Sequence, residues 1–136
     1  MSNANSGARN TSVLVVEDEF LIRAAVAQEL EQAGYRVFEA ADCLEALNVL
    51  AAHDIAIIVT DLAMPGPLDG NDLIRVTRAE YPDIIVVAAT GNIASVMVEG
   101  HLRKPYHPAE AVVLVQNLLE HRRDSKVFRL PAALWR

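Results

Sequence analysis

Five side chains that can do chemistry lie at the carboxyl ends of apolar runs: Glu17 and Asp18, Asp61, Thr90 and Lys104. Three carboxylates, a hydroxyl and an ammonium drawn to one place form a coherent set. Carboxylates from neighbouring strands repel one another, and a hard divalent cation resolves the conflict. Mg²⁺ keeps several waters and is held by one or two carboxylates plus phosphate oxygens. Lys104 adds a compact positive charge, and Thr90 can donate a hydrogen bond to an anionic oxygen. Such a set suits an aspartate that accepts a phosphoryl group, because metal and lysine neutralise the phosphoryl oxygens while the carboxylate attacks in line. On this reading Asp61 is the nucleophile. Any one of these acids alone could simply solvate a loop end; the full set, each at a strand end, calls for chemistry.

Alternating strands and helices must bring these groups together. Ser12 to Val16 is a β-branched apolar run that ends in Glu17-Asp18-Glu19. Phe20 to Ala33 carries apolar residues at helical spacing and stops at Gly34. Tyr35 to Glu39 reads as a strand, and about Asp42 to Ala52 as a helix with Leu44, Leu47 and Leu50 on one side. Ile55 to Thr60 and Ile84 to Ala89 are apolar on consecutive residues, as in strands covered on both faces of a parallel sheet. Asp72 to Tyr81 lies between them as a helix ended by Pro82. Residues around Leu102 form a short fifth strand, and Pro108 opens a last helix to His121. This alternation specifies an α/β domain with a five-stranded parallel sheet, flanking helices and right-handed crossovers. Ligands in such sheets sit at the carboxyl ends of the strands.

Composition narrows the function classes. The 136 residues suffice for one domain with a real core. At 52% hydrophobic and 22% charged, the chain is far from the composition of disordered sequences. No apolar run reaches the ~18 residues of a membrane span, and residues 1–10 read as a polar, flexible lead without a signal sequence. A net charge of −6 argues against direct nucleic-acid binding. The basic group His121-Arg122-Arg123 suits a helix end. The single cysteine, Cys43, rules out an internal disulfide, fits a reducing, cytoplasmic setting, and reads as a packing residue.

Four short stretches then resemble the receiver domains of two-component response regulators: Val15-Val16-Glu17-Asp18-Glu19, Asp61-Leu62-Ala63-Met64-Pro65, Ala89-Thr90-Gly91 and Lys104-Pro105-Tyr106. Each is weak alone; their order and spacing are specific. The resemblance covers about residues 11 to 122, leaving 123–136 as a tail. It implies a flavodoxin-like (CheY-like), doubly wound fold and a phosphorelay role. Asp61 would be the phosphoacceptor. Glu17, Asp18, Asp61 and the backbone carbonyl of Ala63 would surround Mg²⁺, and Thr90 and Lys104 would contact the phosphoryl group. The implied partners are a histidine kinase or histidine phosphotransfer protein upstream and a protein target downstream. With so short a tail, the output is expected in trans or in a segment beyond this sequence.

Several features depart from the family pattern. Residues 91 to 103 are too few for a full helix, two loops and a strand, so the fourth crossover helix is expected to be short or absent. This resembles a subgroup of receivers with a Phe-Ala-Thr-Gly signature, matched here by Ala88-Ala89-Thr90-Gly91 without the phenylalanine. Residues 91–100 are then expected to order on activation. The loop Gly66-Pro67-Leu68-Asp69-Gly70 is one residue longer than usual. The switch position three before the lysine, commonly aromatic, is His101, which would make the response pH-sensitive; a plain strand histidine is the alternative. His53, His107 and His121 read as surface residues near helix ends. The apolar tail residues Val127, Phe128, Leu130, Leu134 and Trp135 suit packing on the domain, a homodimer contact or the start of a further segment.

Two other functions fit parts of the pattern. One is a Mg²⁺-dependent phosphohydrolase working through an aspartyl phosphate; such enzymes commonly carry a second acid two residues on, where this chain has Ala63. The other is a phosphorylation-independent interaction module on the same fold, against which the intact acid set, Thr90 and Lys104 stand.

Overall fold

The computed structural model describes residues 11–91 and 97–127, the last five as helix backbone only. The strands are β1 (Ser12–Val16), β2 (Arg36–Ala40), β3 (Ile57–Asp61), β4 (Ile85–Thr90) and β5 (Gly100–Arg103). All are parallel, in the order β2-β1-β3-β4-β5. Four helices are described: α1 (Phe20–Gln32), α2 (Cys43–Ala52), α3 (Gly70–Glu80) and α4 (Pro108–Val127). The chain winds outward from β1 in both directions, so the β1/β3 crevice is the topological switch point at which such folds take ligands.

Side-chain alternation sorts the core into two layers. Val13, Val15, Ile57, Val59, Ile85, Val87 and Ala89 face α1 and α4, meeting Val26, Leu30, Ala111 and Val115. Leu14, Val16 and Ile58 face α2 and α3, meeting Cys43, Ala46, Leu50 and Leu73. Both faces of the central strands are therefore covered, which explains their consecutive apolar residues. Every β3 residue is buried, whereas the edge strand β5 alternates buried and exposed. Each fully buried aliphatic side chain contributes roughly 1.5–3 kcal/mol. Cys43 is buried in this packing, as its sequence context suggests.

Two helix bounds differ from expectation by more than one residue. α3 starts at Gly70 rather than Asp72, because Asp69 caps it: Asp69 Oδ1 accepts from the Asp72 N–H at 3.1 Å, and Asp72 Oδ2 accepts from the Asp69 N–H at 2.9 Å. α4 runs six residues past His121 to Val127, so the basic cluster lies within the helix. His53, His107 and His121 are exposed, as expected. The expected lead at 1–10, most of the tail (128–136) and the core of the expected short or absent fourth helix (92–96) lie outside the described residues. Among the described residues no helix is long and apolar enough to cross a membrane.

Just before β5, the crossover is pinned by Glu99. Its Oε1 accepts from the Val86 N–H at 2.7 Å and from Arg78 Nη2 at 2.9 Å. Its Oε2 pairs with Arg78 Nη1 at 2.9 Å. A side-chain carboxylate thus satisfies a β4 amide and ties α3 to the start of β5.

Candidate functional site

Asp61 is the last residue of the fully buried strand β3, and only 5% of it is exposed. An ion so placed must be compensated. Lys104 Nζ donates to Asp61 Oδ2 at 2.9 Å, and the Ala63 N–H donates to Asp61 Oδ1 at 3.2 Å. The same ammonium lies 3.2 Å from Glu17 Oε1. Lys104 is held by the sheet, since its N–H donates to the Thr90 carbonyl at 2.9 Å, one step beyond the Thr90↔Arg103 pair. The Lys104-Pro105 peptide is cis.

Glu17 follows β1 and is also buried; its N–H donates to the Ala40 carbonyl at 3.0 Å and its Oε2 accepts from the Glu19 N–H at 3.2 Å. Asp18, next to it, is exposed. One carboxylate oxygen from each of Glu17, Asp18 and Asp61 lies within 4.8 Å of the others. Burial raises the Glu17 carboxyl above its ordinary value, and the Asp18 side chain and Asp61 charge add to this against the Glu19 N–H and Lys104. Burial alone would lower Lys104, but its hydrogen bond to Asp61 and the charges of Asp61 and Glu17 outweigh it and raise the ammonium. Tyr106 is pushed up to about 12 by burial and the Glu17 and Asp61 charges, against the Lys104 charge.

These all-oxygen, all-anionic donors fit a hard divalent cation such as Mg²⁺. Asp18 is open to solvent, as an entry side requires, while Glu17 and Asp61 form the floor. Ala63 lies two residues past Asp61, in the loop the Asp61 carboxylate steadies.

Two other expected residues are positioned by β4 and β5. Thr90 ends β4, half-buried. His101 is exposed on β5 in register with Ala88, two residues before Arg103, which pairs with Thr90. Glu17, Asp18, Asp61 and Lys104 therefore meet directly, Thr90 is tied to Lys104 through the backbone, and His101 lies further along the edge strand.

Sequence reasoning missed two residues that shape the site. A Cβ at Gly70 would overlap the Asp61 carbonyl oxygen and the Leu62 Cα, and the Gly70 N–H donates to the Leu62 carbonyl at 3.1 Å. The N-terminus of α3 therefore rests directly on the backbone that carries Asp61. Its sequence signal is the Asp69/Asp72 capping pair around it. Arg23, in α1, donates from Nη1 to the Glu17 carbonyl at 2.7 Å. Its signal is a cation one turn after the acidic loop.

Comparison with known proteins agrees with this fold. The response regulator receiver domain family matches residues 13–116. The sensor kinase CckA of Brucella abortus is 32% identical over 121 residues, covering 82% of this chain and 13% of the kinase. The aerobic respiration control protein ArcA of Escherichia coli K12 is 31% identical over 115 residues, covering 79% of this chain and 48% of that protein. The chain thus spans less than half the length of either relative. The chemotaxis response regulator CheY4 of Vibrio cholerae superposes with a TM-score of 0.73 at 28% identity, covering 79% of this chain and 97% of that one.

Proposed function

This chain belongs to the response regulator receiver domain family, and from that premise we propose that it is a phosphorylation switch of two-component signalling whose phosphoacceptor is Asp61. One observation carries the reading: a buried strand-end carboxylate bonded to Lys104 at 2.9 Å beside two further acids. The phosphoryl donor is a phosphohistidine on a histidine kinase or phosphotransfer protein. An Asp61 carboxylate oxygen attacks phosphorus, the P–N bond breaks, and the imidazole keeps the bonding pair as it leaves. Lys104, already at Asp61 Oδ2, pairs with the arriving phosphoryl oxygens, and the Thr90 hydroxyl donates to one of them. Mg²⁺ held by Glu17, Asp18, Asp61 and the Ala63 carbonyl would supply charge neutralisation at those oxygens.

The protein acts as a signalling switch and not as a turnover enzyme. A downstream protein reads the phosphorylated state, with His101 as the residue that answers events at Thr90. His101→Phe should alter the pH profile of activation; an unchanged profile removes His101 from the switch. For the main reading, intact mass after incubation with acetyl phosphate and Mg²⁺ is decisive, followed by transfer from a phosphorylated histidine phosphotransfer protein. One added phosphoryl group is expected, absent in Asp61→Asn and without Mg²⁺. No adduct from either donor, together with no Mg²⁺ binding, would instead favour a phosphorylation-independent module.

A further inference from the structure

Arg23 makes four kinds of contact, none of them with the clustered carboxylates. Its Nη1 donates to the Glu17 backbone carbonyl at 2.7 Å, and its Nε donates to Glu39 Oε1 at 3.2 Å. Its guanidinium lies 5.4 Å from the centroid of the Phe20 ring, and its backbone N–H continues α1 to the Glu19 carbonyl. The side chain is 15% exposed. This placement is costly in two ways. A cation near a helix N-terminus opposes the helix dipole, and ordering a long side chain loses rotamer entropy. A salt bridge to Glu39, itself 43% exposed, returns little.

What Arg23 does accomplish is geometric. The Glu17-Asp18 turn is held from one side by the Ala40 carbonyl at the Glu17 N–H, and from the other by Arg23 at the Glu17 C=O. Both backbone groups of Glu17 are therefore fixed to neighbouring elements, β2 and α1. The carboxylates of Glu17 and Asp18 are left to face Asp61 and Lys104. An arginine bonded to those carboxylates would compete with a cation; one that spends its donors on a carbonyl and on Glu39 does not.

We infer that Arg23 is a positioning residue that sets the Glu17-Asp18 turn in the shape that receives the divalent cation. This rests on the metal site of the proposed function and extends it to the turn's outer support. Two opposite effects separate positioning from mere charge. If Arg23 acts only as a nearby positive charge, its removal relieves repulsion and Mg²⁺ binds more tightly. If it positions the turn, removal weakens Mg²⁺ binding by about 10–100-fold, as for other groups that orient metal ligands.

The test is calorimetric titration of the full chain with MgCl₂, with amide NMR shifts of residues 17–19 followed in parallel. Wild type, Arg23→Ala and Arg23→Lys are compared, and cooperative urea unfolding confirms that each variant is folded. Weakened binding in Arg23→Ala supports the inference. Arg23→Lys should also weaken binding, because one ammonium cannot reproduce a fork that spans the Glu17 carbonyl and Glu39. Unchanged or tighter binding in either folded variant overturns it. Where Arg23→Ala fails to fold, Arg23→Lys, which keeps charge and aliphatic stem, decides alone. A wild type that shows no saturable Mg²⁺ response overturns the metal site itself, a failure distinct from altered variants beside a responsive wild type.

Discussion

Replacing Gly70 with alanine should damage stability and phosphorylation together, although Gly70 has no ionisable group. The added methyl would overlap the Asp61 carbonyl oxygen and Leu62 Cα. Those atoms are backbone of a buried strand end and its exit, so they cannot rotate aside as a side-chain tip could. The helix must retreat instead. Retreat breaks the Gly70 N–H bond to Leu62, 3.1 Å in the native fold, and strains the Asp69/Asp72 cap. Overpacking costs about 1–3 kcal/mol and the lost bond about 0.5–1.5 kcal/mol. Reduced freedom of the unfolded chain offsets about 0.4–1 kcal/mol. The net loss is about 0.5–4 kcal/mol, and a mid-range loss lowers the urea midpoint by about 1 M for a slope near 2 kcal/mol per M. Because the displaced atoms belong to Asp61 and its neighbour, the yield of phosphoryl adduct should fall in the folded variant too. A Gly70→Ala protein as stable as wild type, with the same adduct yield, would refute the claim that α3 braces the Asp61 backbone.

Two further substitutions probe the charges. Lys104→Met leaves Glu17 and Asp61 facing each other and should cost about 3 kcal/mol at neutral pH, at the low end for a broken buried pair because the Lys104 side chain is 26% exposed. The folded Glu17 value is raised, so its contribution is full below the unfolded value of 4.5 and lost as pH rises through the folded value. Losing Lys104 raises it further, so the deficit should shrink on acidification or with added Mg²⁺; urea midpoints that show a pH-independent deficit would contradict this. Glu99 behaves in the opposite sense. Burial pushes it up, but Arg78 and the Val86 N–H prevail and hold it below its ordinary value, so its stabilisation is present above 4.5 and fades as pH falls through the folded value. Glu99→Gln should cost up to about 1 kcal/mol at neutral pH, a small figure because the side chain is 40% exposed. The gap from wild type should close below pH 4.5, and a gap that persists there would count against the Arg78 pairing as its source.

Much of the fold was readable because parallel strands buried on both faces write themselves as consecutive apolar residues. The run before Asp61 is the clearest case, and the structure buries every residue of β3. The convergence of the candidate site was readable for a related reason: a sheet of parallel strands delivers the residues after its strands to one edge, which is where Glu17, Asp18, Asp61, Thr90 and Lys104 fall. Contacts between distant backbones were not readable. Gly70 looks like a loop residue by propensity, and its necessity comes from Asp61 and Leu62, which lie against it only after α3 has packed. The basic cluster at 121–123 suggested a helix end, yet α4 continues; Arg122 lies 3.9 Å from Asp83, at the opposite end of the sheet from Asp61. Arg23 escaped notice because the partner that matters for the turn, at Glu17, is a carbonyl, which every residue has.

The balance of charge at the strand ends differs from that of a simple ion pair. A pair retained for stability alone would match one cation with one anion, since any excess buried charge goes uncompensated. Here a single ammonium faces Glu17 and Asp61 at once, with Asp18 close by. Three carboxylates against one lysine leave a formal excess of two negative charges, the complement of one divalent cation. The rise of Glu17 records the same shortage, because its share of Lys104 does not offset burial and its acidic neighbours. The surrounding bonds relieve that excess only in part. Glu19 and Ala63 donate N–H groups to individual carboxylate oxygens, while Arg23, the nearby arginine that could neutralise the acids, bonds a carbonyl and Glu39. The carboxyl edge of the sheet is thus built around unmet negative charge, at the point where the fold accepts ligands.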